Sequence, residues 1–304
     1  MKALATYILR GHIQAAGIIG LFGALGWIFP LSFLLSCAAA GLVVLRKEPR
    51  DAAIALTGAA LFCMVVALVR FGTPTLALLN VLVFWLPVCL CAQVLRVTRS
   101  QTVVLIVVLA ISLILATGSR YFSGGIEDFW QNSLTKYASK VAIIGNTSDA
   151  EKQAEVIIVL AIIMNGFVAA SFGLMTMLSV LLARWWQSLL FNPGGFGEEF
   201  RRIQLPAWIT IPVLVTAILI GIVKLPVPPY GWLLDCLIIG TALLMFHGLS
   251  IVHYFVNERQ SGTGWLVGLY FFLIVTSVYV FSLLAILAIT DSLSDYRKLR
   301  SKSA

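Results

Sequence analysis

Charge is what this sequence has least of. Asp, Glu, Lys and Arg make up 11% of its 304 residues against 60% hydrophobic ones, and the mean hydropathy is +0.99. A soluble domain carries about 25% charged residues, so a water-soluble enzyme or carrier is excluded and an integral membrane protein is implied. Metal-ligand patterns are missing too. There are three histidines, and the five cysteines (Cys37, Cys63, Cys89, Cys91, Cys236) all lie in apolar runs, where a thiol behaves as a small hydrophobe. Cys89 and Cys91 point in different directions on a helix, and no His or carboxylate is spaced to complete a site with them. No nucleophile elbow and no phosphate-binding loop occurs. No catalytic residue, metal or cofactor is therefore assigned, which leaves room only for a membrane enzyme with an unfamiliar site. The net charge of +8 does not imply nucleic acid, because a polytopic chain gathers Lys and Arg at its cytoplasmic face.

Long apolar runs fill the space that charge leaves. The predicted fold class is all-α, a polytopic transmembrane bundle of about nine helical segments with eight or nine full crossings, in one integral membrane domain over 1–304. After a basic amino-terminal dozen with Lys2 and Arg10, an apolar run reaches from Ile13 to Leu45 and is broken at Pro30. As one helix it would measure ~50 Å, so a hairpin of two spans is expected. Gly17, Gly20, Gly23 and Gly26 line the first arm and permit close helix approach, either within the bundle or against another membrane subunit. Further spans are expected at about 52–69, 76–95 (kinked by Pro87), up to 116, 151–183, 208–223 (with Pro212), 232–256 and 265–290.

Residues 119–156 form the extended polar stretch. Ile126, Phe129, Trp130, Leu134, Tyr137 and Val141 recur at three- and four-residue spacing there, which predicts an amphipathic helix on the outer membrane surface. Ser148 and Glu151 have capping-box spacing ahead of the next span. The Asn146-Thr147-Ser148 sequon and the lipoprotein-like Leu34-Leu35-Ser36-Cys37 are read as decoys. With the amino terminus inside and crossings alternating, Arg46, Lys47, Arg50, Arg96, Arg99, Arg184, Arg201, Arg202 and Arg259 share the cytoplasmic side. Nine full crossings would put the basic tail (Arg297, Lys298, Arg300, Lys302) outside. Either the last stretch bends back near Thr276-Ser277 or the tail is an exception.

Two stretches carry candidate site residues. Asn165, Ala169, Gly173 and Thr176 share a narrow arc of one span, and Gly240, His247, Ser250 and Tyr254 share an arc of another. Facing each other they would line a polar seam, with Asn165, Thr176, His247, Ser250 and Tyr254 as candidate solute contacts. The alternative is ordinary interhelical hydrogen bonding. Asp235 is expected to neutralise Lys224 across an outer turn stiffened by Pro226, Pro228 and Pro229. The second stretch, 184–207, reads as a cytoplasmic elbow. Arg184, Trp185 and Trp186 suit the water boundary, while Asn192, Pro193, Gly194 and Gly195 stop the helix. Glu198 and Glu199 then open a short helix ending in Arg201 and Arg202. Phe191, Phe196 and Phe200 either fold back to seal the bundle or form an exposed docking patch. The glycine turn could offer N–H groups to an anion, but Glu198 and Glu199 would repel phosphate.

The elbow, Arg184-Trp185-Trp186-Gln187 with Asn192-Pro193-Gly194-Gly195-Phe196 and Glu199-Phe200, resembles the signature segment of the YybS-like family of bacterial membrane proteins. So do His12-Ile13-Gln14-Ala15-Ala16, Phe246-His247-Gly248-Leu249, Gly264-Trp265-Leu266-Val267 and the ending from Asp291 to Arg297. The resemblance implies a bacterial inner (cytoplasmic) membrane location and carries over no catalytic or ligand residue. That family is in turn distantly similar to the substrate-binding components of energy-coupling-factor transporters, which capture a metabolite and dock on a membrane subunit. The expected function is to bind or help translocate a small solute within a membrane assembly. The alternative is a non-transporting scaffold that docks a cytoplasmic protein through the elbow. The expected partners are the lipid bilayer, another membrane subunit or a cytoplasmic protein, and a small solute, with no nucleic acid.

Overall fold

The computed structural model describes residues 1–142, 150–223, 230–260, 262 and 264–297, which are helical with no strand among them. In order the helices are α1 (Lys2–Arg10), α2 (His12–Leu25), α3 (Ser32–Arg46), α4 (Pro49–Phe71), α5 (Thr75–Leu79), α6 (Leu86–Thr98) and α7 (Gln101–Ser123). Then come α8 (Ile126–Ala142), α9 (Ala150–Phe191), α10 (Gly195–Phe200), α11 (Ala207–Gly221), α12 (Gly231–Glu258), α13 (Gly264–Val275) and α14 (Ser277–Ser294). Six helical stretches are long and apolar enough to cross a membrane, so the all-α membrane bundle stands. The Ser148–Glu151 pair, the sequon, Lys224, the 226–229 prolines and the tail beyond Arg297 lie outside the described residues or side chains.

The chain divides into two compact units, 1–108 with 174–203, and 109–173 with 204–304. In the first unit α2 and α3 form the hairpin expected at Pro30, and α2 packs on both α3 and α4. Gly20 and Gly23 of α2 are used inside the unit, while Gly17 is exposed and a Cβ there would meet nothing within 4 Å. A Cβ at Gly20 would meet the Phe62 ring at 2.8 Å, and one at Gly23 would meet Trp85 at 3.0 Å. Pro87 does more than bend its helix. The turn before it, Asn80–Trp85, is π-helical and joins α5 to α6, a widened turn of the kind that accommodates groups left over beside a proline. Its residues are tied in. Asn80 donates to the Gly23 carbonyl and accepts from Trp27 Nε1, both at 3.2 Å. Trp85 Nε1 donates to Ser36 Oγ (2.9 Å), and Ser36 donates to the Ile19 carbonyl (2.7 Å).

In the second unit α9 and α12 run in the same direction. Asn165 meets Asp235, and eight residues further on Gly173 meets Leu243. α7 runs opposite to α9, with Ser112 beside Gly173 and Ser119 beside Asn165. Alternating crossings require this order. α8 forms where the amphipathic pattern predicts a helix, with Ile126 buried and Phe129 and Tyr137 exposed. The last apolar stretch breaks at Thr276 (φ −127°, ψ 46°). α13 climbs away from the α12 end, where Tyr270 meets His253 (2.9 Å). α14 returns along α12: a Cβ at Gly248 would strike the Leu284 carbonyl at 2.3 Å, and Arg297 reaches Ser250 and Tyr254. The stretch therefore bends back, and Arg297 packs against Ser250 and Tyr254 in the carboxyl-terminal half of α12.

Candidate functional site

The two arcs expected to form one seam are divided into separate clusters. α9 does face α12, but the register sets Asn165 opposite Asp235, three turns from His247. Asn165 Nδ2 donates to Asp235 Oδ2 (2.7 Å) and to the Ala116 carbonyl (3.1 Å), and its Oδ1 accepts from Ser119 (2.6 Å). Arg120 completes this cluster, donating through Nε and Nη2 to Asp235 Oδ2 (3.1 and 2.8 Å) and through Nη1 to Glu127. Asp235 is 3% exposed. Its described charge partner is thus Arg120, and the expected Lys224 lies outside the described residues. A buried carboxylate needs a close counter-charge, and the last turn of α7 supplies one.

His247 and Asp291, both 0% exposed, anchor the second cluster. The Leu205 N–H donates to His247 Nδ1 (3.3 Å), so the proton sits on Nε2 and is donated to Asp291 Oδ2 (2.9 Å). Asp291 Oδ1 accepts the Tyr296 N–H (3.0 Å), while Gln204 donates to Oδ2 (3.4 Å). Arg297 Nη2 donates to Ser250 Oγ (2.8 Å) and lies 3.8 Å from Asp291 Oδ2, with its guanidinium over the Tyr254 ring. Ser250 also donates to the His247 carbonyl (2.8 Å). Burial lowers the Arg297 pKa, against the opposing pull of Asp291, Asp295 and Tyr254. This cluster clamps the start of α11, the middle of α12 and the end of α14 together. Of the five seam candidates, Asn165 belongs to the first cluster and His247, Ser250 and Tyr254 to the second. Thr176 is buried on the part of α9 that belongs to the other unit.

The elbow folds onto its own unit. Trp186 is 0% exposed and Phe200 8%. This corrects the boundary-anchor reading of Trp186: α9 continues to Phe191, so position 186 faces the unit's interior. Trp185 is half-buried. Arg184 grips the Glu199 carboxylate with Nε (2.8 Å) and Nη2 and also bonds Gln187 (2.6 Å), while Gln101 adds a bond to Glu199 (3.3 Å). The short helix starts earlier than expected, at Gly195 after Gly194 (φ 90°), and ends at Phe200, so Arg201 and Arg202 follow it. Asn192, Pro193 and Gly194 are exposed. The N–H groups of Gly195, Gly197 and Glu198 are taken up by the Asn192 and Gly194 carbonyls, which removes them from any anion. Phe196 is half-exposed, and Phe191 is exposed beneath the Arg46 guanidinium, 3.7 Å from its ring centre.

What the sequence reading missed is a cleft of about 910 Å³ in the second unit, near the top of the ~300–1,000 Å³ typical of small-molecule sites. One wall is α12 through Ile251, Phe255 and Arg259, and the other is α13 through Trp265, Gly268 and Phe272. No residue of α13 is buried, so this helix stands off its neighbour. The available signal was Gly264 and Gly268, one turn apart just after Arg259. Compared with models of protein families, with curated proteins and with solved structures, the chain matches none.

Proposed function

We propose that this membrane protein binds a small apolar or amphipathic solute taken from the bilayer and helps hold or translocate it within a membrane assembly. The cleft between α12 and α13 carries the reading. Asn165, His247 and Ser250, first suspected as solute contacts, are already bonded to Asp235, Asp291 and Arg297, whereas the cleft is open and lined mainly by apolar side chains. Supporting it is the resemblance to the YybS-like family, with its distant similarity to solute-capturing transporter components. On that resemblance the location is a bacterial inner membrane, with the amino terminus cytoplasmic by the distribution of Lys and Arg. The scaffold alternative keeps Phe191 and Phe196 as its exposed surface, since Trp186 and Phe200 are already buried in their own unit.

The test is a thermal-shift screen of purified protein against long-chain apolar and amphipathic compounds, repeated on Gly268→Leu. A Cβ at Gly268 meets nothing within 4 Å, so the leucine fills the cleft without disturbing packing. A compound at 100 times its Kd should stabilise the wild type by about 2.7 kcal/mol and the variant far less. Equal shifts in both proteins, or none in the wild type, would sink the reading.

A further inference from the structure

We infer that the cleft takes an anionic phospholipid, with its phosphate on Arg259 and an acyl chain laid along α13 toward Phe272; the inference rests on the solute-binding reading above. Three observations carry it. First, the cleft has a polar end and an apolar end in the order a lipid needs. Asn257, Glu258, Arg259 and Gln260 end α12 and are exposed, marking the water boundary. Phe272 lies two turns beyond Trp265, ~10 Å deeper, with Leu287 of α14 also in the lining.

Second, Arg259 is the charged residue of the cleft lining, while the neighbouring Glu258 lies outside it. Arg259 has no carboxylate partner among the described residues, and its described side-chain contact is a long one, 6.0 Å to the Phe255 ring centre. A guanidinium at a membrane boundary matches phosphate oxygens in geometry as well as sign. Third, the apolar wall is shaped for a chain rather than for a protein side chain. Positions 262, 264 and 268 are glycines whose added Cβ atoms would meet nothing within 4 Å. Trp265 stands at the mouth, 75% exposed, where an indole bridges the headgroup and acyl layers.

The experiment uses full-length protein in detergent, titrated with dioctanoyl phosphatidylglycerol or dioctanoyl phosphatidylcholine and read by thermal shift. Four proteins are compared: wild type, Arg259→Gln, Gly268→Leu and Arg10→Gln, the last removing an exposed arginine of the other unit. The expected result is tighter binding of dioctanoyl phosphatidylglycerol than of dioctanoyl phosphatidylcholine by wild type and Arg10→Gln, by about fivefold, the ~1 kcal/mol that one basic residue adds near anionic lipid. Arg259→Gln should bind both lipids equally, and Gly268→Leu neither. An unchanged preference in Arg259→Gln, or its equal loss in Arg10→Gln, overturns the headgroup assignment. If Gly268→Leu still abolishes binding in that case, the solute-binding reading survives. Full binding by Gly268→Leu overturns both.

Discussion

Asp235 concentrates the cost of burying charge at a single side chain. Its Oδ2 accepts from Arg120 twice and from Asn165 once, while Oδ1 has no partner among the described residues. Removing one member of a buried pair costs far more than the pair contributes, because the other charge is left without compensation. Asp235→Ala is therefore expected to cost about 3 kcal/mol, softened by the bond Arg120 keeps to Glu127. Adding Arg120→Ala should restore part of the loss. Chemical unfolding of the two single variants and the double variant in detergent measures this, and strictly additive effects would show that the two side chains do not act together. The residue types were visible in the sequence, but the pairing was not. Arg120 and Asp235 are 115 positions apart, and nothing local to either names the other. His247 and Asp291, 44 apart, were hidden for the same reason.

At the scale of elements, apolar length and turn chemistry made most helices legible. The break at Pro30, the start of a helix after Gly125 and the bend at Thr276 all follow from where helix formers stop. What periodicity could not supply was register and facing. The arcs on α9 and α12 do meet, but with Asn165 against Asp235. Trp186 looked like a boundary residue because α9 was expected to end at about 183, and the helix runs on to Phe191. The same gap concealed the cleft, since sequence shows glycines on α13 but not that the helix stands off. The elbow offers a test of facing. Phe200→Ala should cost about 3 kcal/mol, as a buried ring does, and Phe196→Ala about 1 kcal/mol, since half its ring is already in solvent. Unchanged stability of Phe200→Ala together with loss of a co-purifying protein would instead make the elbow a docking surface.

For the whole molecule, the returning α13–α14 hairpin removes the conflict between crossing count and charge. The ~18 and ~27 Å arms leave the end of α12 and return along it to Ser250 and Tyr254, which predicts that Arg297 shares a side with Arg259. A reporter fused after Ala304 should read out on the same side as one inserted between Arg259 and Gln260. One placed between Gly124 and Gly125 should read out on the opposite side, and the positive-inside rule makes the first two cytoplasmic. Opposite sides for the first two would mean that the stretch crosses once. The division into units has a consequence of its own for biosynthesis. Each unit is assembled from two stretches, and the stretches alternate along the chain. A ribosome that has delivered 1–108 must next deliver 109–173, which belongs to the other unit, before 174–203 can close the first. Helices therefore enter the membrane ahead of the neighbours that cover them. Partly built faces such as the Gly41 surface, which awaits Ala183, stay open to lipid or to insertion factors while the rest of the chain is made.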